Sequence, residues 1–419
     1  MILNFSIDYQ GETLCFFRKI IATQIANPFS LVRNSKLFPK FYLKDRSSIE
    51  QRVALGSIAK FESIPDLSKN QDQFFLYGTY PFPKNAKSNI WGELAKPFFF
   101  IPKWELIINS QGSTLYYYGK SEEPPYPEPG LENNDTQWSP LIYQYYDTRS
   151  DVPNLALWEK AVSHSLDLIS KSYLQKLVLA RQTSLFSKTP FCPYSLLDHL
   201  LKQQQNTAVF LFQMSEDVSF LGSTPEQLYE RSNQSLFTEA LAGTLPRGQD
   251  EFEDQQLASR LLNSPKESSE VRYVEEFIKA QLSPLSYSIE TDPIFSIIKT
   301  PKVQHLYKKI SCKLNESNSD EMLTNYLHPT PAVAGLPQNT ALALLKKIEL
   351  FERGLYAGFL GWTSKSQCRF YVGIRSALIQ SNELHLFAGT GIVEGSSSEK
   401  EWEELEYKIS QFKEVLHAR

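Results

Sequence analysis

The stretch "RFYVGIRSALIQSNELHLFAGTGIV", residues 369–393, reads as two strands, "RFYVGIRSALIQ" and "ELHLFAGTGIV", folded back on each other across Ser381 and Asn382. A two-residue connection between apolar, β-favouring runs predicts an antiparallel hairpin. Further strands are expected upstream: "QKLVLARQTSL" (175–185), "TAVFLFQMS" (207–215), "VSFLGSTPEQLYER" (218–231) and "SLFTEALAGTLPRG" (235–248), with a helix start or a turn at "STPEQ". Between and after them lie helical patterns. One covers about 154–173, with Leu157, Val162, Leu166 and Ile169 at helical spacing. Another covers 250–283, interrupted at "NSPK", and a third closes the chain. Antiparallel strands with helices packed outside predict an α+β fold of large antiparallel β-sheets.

The first 150 residues are aromatic and strand-like, as in "FFLYGTYPF" (74–82) and "PFFFIPKWELIIN" (97–109). The segment "SEEPPYPEPGLENNDTQ", residues 121–137, reads as an exposed linker because prolines and acids dominate it. The expected division is a strand-rich subdomain over 1–150 and a second region over 151–419. No internal repeat is visible.

The chain has 419 residues, 21% charged and 42% hydrophobic, which is ordinary globular composition. A net charge of -4 supplies no basic field, so nucleic acid is not expected as a partner. Cysteines at 15, 192, 312 and 368 have neither metal-ligand nor redox spacing, which predicts buried free thiols in a reducing compartment. The start "MILNFSIDYQGETLCFF" lacks a basic opening and an apolar core, and no run approaches the length of a membrane span. These features predict a cytoplasmic protein with no membrane association.

"EKEWEELEYK", residues 399–408, concentrates charge. At about 100° per residue, Trp402, Leu405, Ile409, Phe412 and Leu416 form the buried stripe. Glu399, Glu403 and Glu406 point away into solvent. Glu401, Glu404 and Lys408 cluster at the edge of the apolar stripe, where unpaired charge is costly. Lys408 in an i,i+4 pair with Glu404 answers that need, and so does a divalent cation. Glu267 and Glu270 repeat the i,i+3 acid spacing on a helix that Pro265 opens. Two such helices facing each other would suit magnesium, though capping or solvation explains either pair alone.

Lys176 lies in an apolar strand, on the face of Val178 and Ala180. A buried lysine tends to lose its proton and becomes a candidate base; an edge-strand lysine that blocks aggregation is the alternative. Glu226 is a candidate acid, or an acid favoured by a helix dipole. Arg375, read as a strand arginine among apolar residues, needs an anion from the protein or from a substrate. "HPTPAVAGLP" (328–337) is a rigid loop, and the glycines of "AGTGIVEG" do not fit the dinucleotide fingerprint.

In order and spacing, "KLVLAR", "GSTPEQL", "EALAGTLPRG", "PKESSE", "VQHL", "HPTPAVAGLP", "ERGLYAGFLGW", "FYVGIRSALI" and "AGTGIVEGSSSEKEWEELEYK" resemble the chorismate-utilising family over roughly residues 155–415. The resemblance implies the anthranilate synthase component I-like fold, with the catalytic region in 151–419. Within the family the chain is most similar to isochorismate synthases. Lys176 occupies a place where water-adding members carry lysine and ammonia-adding members such as anthranilate synthase do not. Ala332 falls where salicylate synthases tend to have threonine.

The resemblance implies Lys176 as base and Glu226 as acid, with Mg2+ held directly by Glu270 and Glu404 and through water by Glu267 and Glu401. It implies Arg375 and Tyr356 as ligands of the enolpyruvyl carboxylate, with Gly243, Thr244, His305, Gly389 and Lys408 lining the pocket. No obligatory protein partner is implied. Menaquinone and siderophore pathways both stay open, as do a salicylate synthase, an ammonia-using synthase and a non-catalytic homologue. Val271, Phe359 and Leu245 depart from the commoner family residues (histidine, proline or alanine, and arginine), which touches pocket shape more than reaction class.

Overall fold

The computed structural model describes residues 2–23, 27–68, 70, 74–83, 90–120, 139–140, 143–315 and 318–418. The expected linker at 121–137 lies outside the described residues. Two large antiparallel sheets carry the molecule, with helices packed against them, as the strand and helix patterns predict.

The first sheet runs in the order Ile2–Tyr9, Glu12–Thr23, Gly112–Gly119, Trp104–Asn109, Gln51–Leu55, Lys40–Lys44, Ala208–Gln213, Val218–Thr224, Ser376–Gln380, Glu383–Ile392, Lys176–Phe186 and Thr148–Val152. The short strand Gly335–Leu336 pairs beside Lys176. In the second sheet, Val303–Leu314, Ser235–Pro246, Gln227–Ser232, Gln367–Val372, Phe359–Thr363 and Leu76–Tyr80 are consecutive neighbours. Strands from before residue 150 and after it therefore share both sheets. Phe359 shows the same mixing: it is buried and stacks on Tyr80 at 5.1 Å between ring centroids.

The run 369–380 is not one strand. Gln367–Val372 belongs to the second sheet and Ser376–Gln380 to the first. The chain breaks at Gly373–Arg375, where Arg375 takes a φ of +52°. Such a backbone state is uncommon for a residue with a Cβ and cannot continue a strand. The hairpin itself holds, with Gln380 opposite Glu383. A matching change of sheet occurs at "STPEQ", where no helix starts and only Pro225 and Glu226 lie outside a strand: Val218–Thr224 lies in the first sheet and Gln227–Ser232 in the second. The two crossings are bonded together. Val372 N donates to Glu226 O at 3.0 Å, and Ser223 N donates to Arg375 O at 3.1 Å. Strands that pass between packed sheets build corners, and here two adjacent corners carry an acid and an arginine.

The break at "NSPK" separates the helices Glu251–Leu262 and Pro265–Leu282. Ser264 caps the second by accepting from Glu267 N at 3.3 Å, and Pro265 occupies its first turn. The closing helix is Ser398–Lys413, and Leu416 of the expected apolar stripe lies beyond it in the strand Leu416–Ala418. Glu399 and Glu403 are exposed as expected. Glu406 is not simply solvated: it pairs with Arg181 at 2.5 Å, with Arg149 at 2.6 Å and with Lys413. Its place facing the strand Lys176–Phe186 overrides what its helical angle alone predicts. All four cysteines are free; Cys312 and Cys368 are buried, Cys192 is partly so, and Cys15 is exposed. No helix among the described residues is long and apolar enough to cross a membrane.

Candidate active site

One cleft, enclosing about 850 Å³ of empty space including its mouth, is lined by Lys176, Glu226, Gly243, Thr244, Glu267, Glu270, His305, Ala332, Tyr356, Arg375, Gly389, Glu401, Glu404 and Lys408. All the residues singled out in the sequence for chemistry thus converge on one cleft.

Lys176 opens a strand held on one flank by Glu383–Ile392 and on the other by Gly335–Leu336, so it is not an edge-strand lysine. Its side chain is 1% exposed, and its Nζ lies 2.5 Å from Glu270 Oε1. Val178 shares its face and also lines the cleft. Gly391, which the sequence did not single out, makes room for this pair: a Cβ there would come within 2.7 Å of both Glu270 Oε1 and Lys176 Cε.

Glu226 sits at the corner where the chain changes sheets. Burial pushes its carboxyl up to about 8, and the charge of Glu239 adds to the shift; Thr330, Lys176 and Arg46 pull the other way. It is therefore a protonated acid at neutral pH. Thr330, also missed in the sequence, bonds it at 3.3 Å.

The acid pairs lie on facing helices. Burial, then Glu270 and Glu404, push Glu267 up to about 7. Burial, then Glu404, raise Glu401, whose Oε2 accepts from Thr390 Oγ1 at 2.5 Å. Glu270 is lowered despite burial because Lys176 stands against it. Lys408 bonds Glu404 at 2.5 Å and Gly389 O at 2.8 Å. Lys266 reaches within 3.9 Å of Glu401 across the two helices. Gly243, at φ +69°, brings its N–H to 3.3 Å from Glu270 Oε2. A Cβ there would meet Glu267 Oε2 at 2.9 Å, so only glycine fits.

Glu267 and Glu401 are raised in part by neighbouring carboxylates, a repulsion that a cation would relieve, and such hard oxygens suit a magnesium ion. No three His, Cys, Asp or Glu side chains converge as a ready metal cage among the described residues. A metal here would take few protein oxygens and complete its shell from water and substrate.

Arg375 lines the same cleft. It is buried, its guanidinium is lowered to about 10 chiefly by burial, and it stays charged at neutral pH. No carboxylate forms an ion pair with it among the described residues, although the charge of Glu404 acts on it. His305 is pushed well below its ordinary value by burial, then by Arg375 and Lys408, and is neutral. Its Nδ1 lies 3.3 Å from Gly243 O and 3.0 Å from Thr244 Oγ1. A carbonyl only accepts, so Nδ1 carries the hydrogen and the buried, unpartnered Nε2 is an acceptor.

A buried acid, a lysine, an unpaired arginine and a cluster of carboxylates can move a proton at each end of a small dianion while binding its carboxyl groups. Residues 43–417 match the family described as chorismate binding enzyme. The chain is 37% identical over 272 residues to the chloroplastic isochorismate synthase of Catharanthus roseus, covering 64% of this chain and 47% of that protein. It thus spans about half that relative's length. To the isochorismate synthase MenF of Haemophilus influenzae it is 32% identical, over 90% of this chain and 86% of the relative. The structure of MenF, the menaquinone-specific isochorismate synthase from Escherichia coli, superposes with a TM-score of 0.82 at 26% identity, covering 96% and 94% of the two chains.

Proposed function

The chain belongs to the chorismate binding enzyme family, and from that premise we propose that it is an isochorismate synthase, converting chorismate to isochorismate with magnesium. The observation that carries this reading is the pairing of a buried lysine and a buried, protonated Glu226 in one cleft.

Chorismate offers two carboxylates and a hydroxyl on ring carbon 4. Arg375 and Tyr356 take the enolpyruvyl carboxylate, satisfying the arginine's charge. Lys176, as base, accepts a proton from water as the water oxygen bonds ring carbon 2. The ring double bonds shift, the bond from carbon 4 to oxygen breaks, and Glu226 gives its proton to the departing hydroxyl, which leaves as water. Acid and base need opposite protonation states, and burial holds Glu226 neutral, as the acid role requires. Gly243, Thr244, His305, Ala332 and Gly389 shape the ring pocket. Magnesium bound by Glu270 and Glu404, with Glu267 and Glu401 holding its waters, would neutralise the ring carboxylate and draw electrons toward the displacement. The acid role makes turnover fall as pH rises through about 8, where Glu226 ionises.

Similarity to MenF favours menaquinone synthesis as the pathway served. The test is a product assay: chorismate incubated with the protein, with and without magnesium, and the products separated by chromatography. Magnesium-dependent isochorismate without pyruvate is expected. Salicylate with pyruvate moves the protein to the salicylate branch, and no product under either condition overturns the reading.

A further inference from the structure

We infer that Arg46 and Glu239 form a bracket that positions Glu226 for catalysis and opposes its ionisation, a role that rests on the acid function proposed above. Arg46 follows the strand Lys40–Lys44, far from Glu226 in sequence. Its Nη1 donates to Pro225 O at 2.6 Å and to Glu239 Oε1 at 2.7 Å, while its Nη2 bonds Glu239 Oε2. Glu239, on the strand Ser235–Pro246, accepts in turn from Gln227 N at 2.8 Å. One ion pair therefore grips the residue before the acid and the residue after it. The grip falls where the chain leaves one sheet for the other; of the backbone bonds among the described residues, that from Val372 N to Glu226 O holds this corner, and Arg46 and Glu239 add the side-chain hold on either side of the acid.

The pair is also electrostatic. Glu239 is 4% exposed. Charged or titratable groups around the Glu226 carboxyl are Glu239 and Arg46 behind it, and Lys176 and Tyr356 across the cleft; Tyr307 and Tyr371 stand further back beside Arg46. Of the two bracket charges, Glu239 acts on Glu226 more strongly than Arg46. The net effect keeps a proton on the acid. A buried ion pair is an expensive way merely to hold a turn, since apolar packing does that at least as well. Its two functions together account for a charged pair in this place.

The test follows the Glu226 carboxyl directly. Infrared difference spectra between wild type and Glu226→Gln isolate its carbonyl stretch, and a pH series titrates it. In Glu239→Gln, which keeps an oxygen for Gln227 N but loses the charge, the midpoint is expected to fall by at least about half a pH unit. The alkaline limb of kcat/KM should fall with it. An unmoved midpoint overturns the electrostatic role. Arg46→Lys keeps the charge but cannot hold Pro225 O and both Glu239 oxygens at once. Its kcat should drop about 10- to 100-fold with KM nearly unchanged, and wild-type kcat in that variant overturns the positioning role. If the wild-type protein forms no isochorismate, the catalytic reading fails, whereas the carboxyl titration still decides the bracket.

Discussion

The Nζ of Lys176 and Oε1 of Glu270 lie 2.5 Å apart inside a cleft that also holds four further glutamates. The proposed base and a proposed metal ligand are thus in contact, and the helix Pro265–Leu282 is tied to the strand Lys176–Phe186 through the reacting groups themselves.

Lys176→Ala should lose isochorismate formation by about 10²- to 10⁴-fold, the usual worth of a positioned base. Circular dichroism should show the same fold, because the strand keeps its pairing with Glu383–Ile392 and Gly335–Leu336. An active Lys176→Ala enzyme would sink the base assignment.

Glu404→Ala removes a carboxylate that Lys408 now holds at 2.5 Å. The magnesium concentration for half-maximal activity should rise at least about tenfold. Undiminished turnover at low magnesium would refute a metal role for Glu404.

Glu226→Gln should be inactive yet more stable at alkaline pH. Folding raises this carboxyl from 4.5 to about 8, so the folded state binds its proton more tightly. The corresponding stability is complete below 4.5 and is lost as pH rises through about 8. Glutamine does not ionise and escapes that loss. The melting-temperature advantage of the variant should grow across this window and level off above it; a constant difference would contradict the raised pKa.

Arg353 is buried, pairs with Glu349, and donates to Val178 O and Val333 O, both at 2.7 Å. It joins the Lys176 strand to the loop that bears Ala332. Arg353→Met takes the cation from beside a buried carboxylate and should cost about 3–5 kcal/mol, read by denaturant unfolding. A loss below about 1 kcal/mol, the usual size for a surface pair, would show that the contact carries little.

Local pattern was enough to read the strand that opens at Lys176 and the helices that carry the acid pairs, but not the helices Pro193–Lys202, Asp320–Leu327 and Gln338–Ile348. Alternation placed Lys176 and Val178 on one face, and both line the cleft. The i,i+3 spacing placed Glu267 with Glu270 and Glu401 with Glu404, and the two pairs do face each other. Thr330, Thr390, Gly391 and Lys266 were missed although they lie inside quoted motifs, because a hydroxyl, a missing Cβ or a helix-surface lysine has no assigned chemistry until its neighbour is known.

By itself the sequence determined that Lys176–Phe186 is a strand, that Pro265–Leu282 and Ser398–Lys413 are helices, and which of their polar groups sit at apolar faces, since these follow from periods of two and 3.6 residues. Only the tertiary structure decided that 369–380 splits between two sheets at Arg375, that Glu406 is held by Arg149 and Arg181, and that Arg46 reaches Glu239, 193 residues away. A local period reports the direction of a side chain within its own element. It carries no information about which distant element packs there, and the bracket around Glu226 arises from that packing.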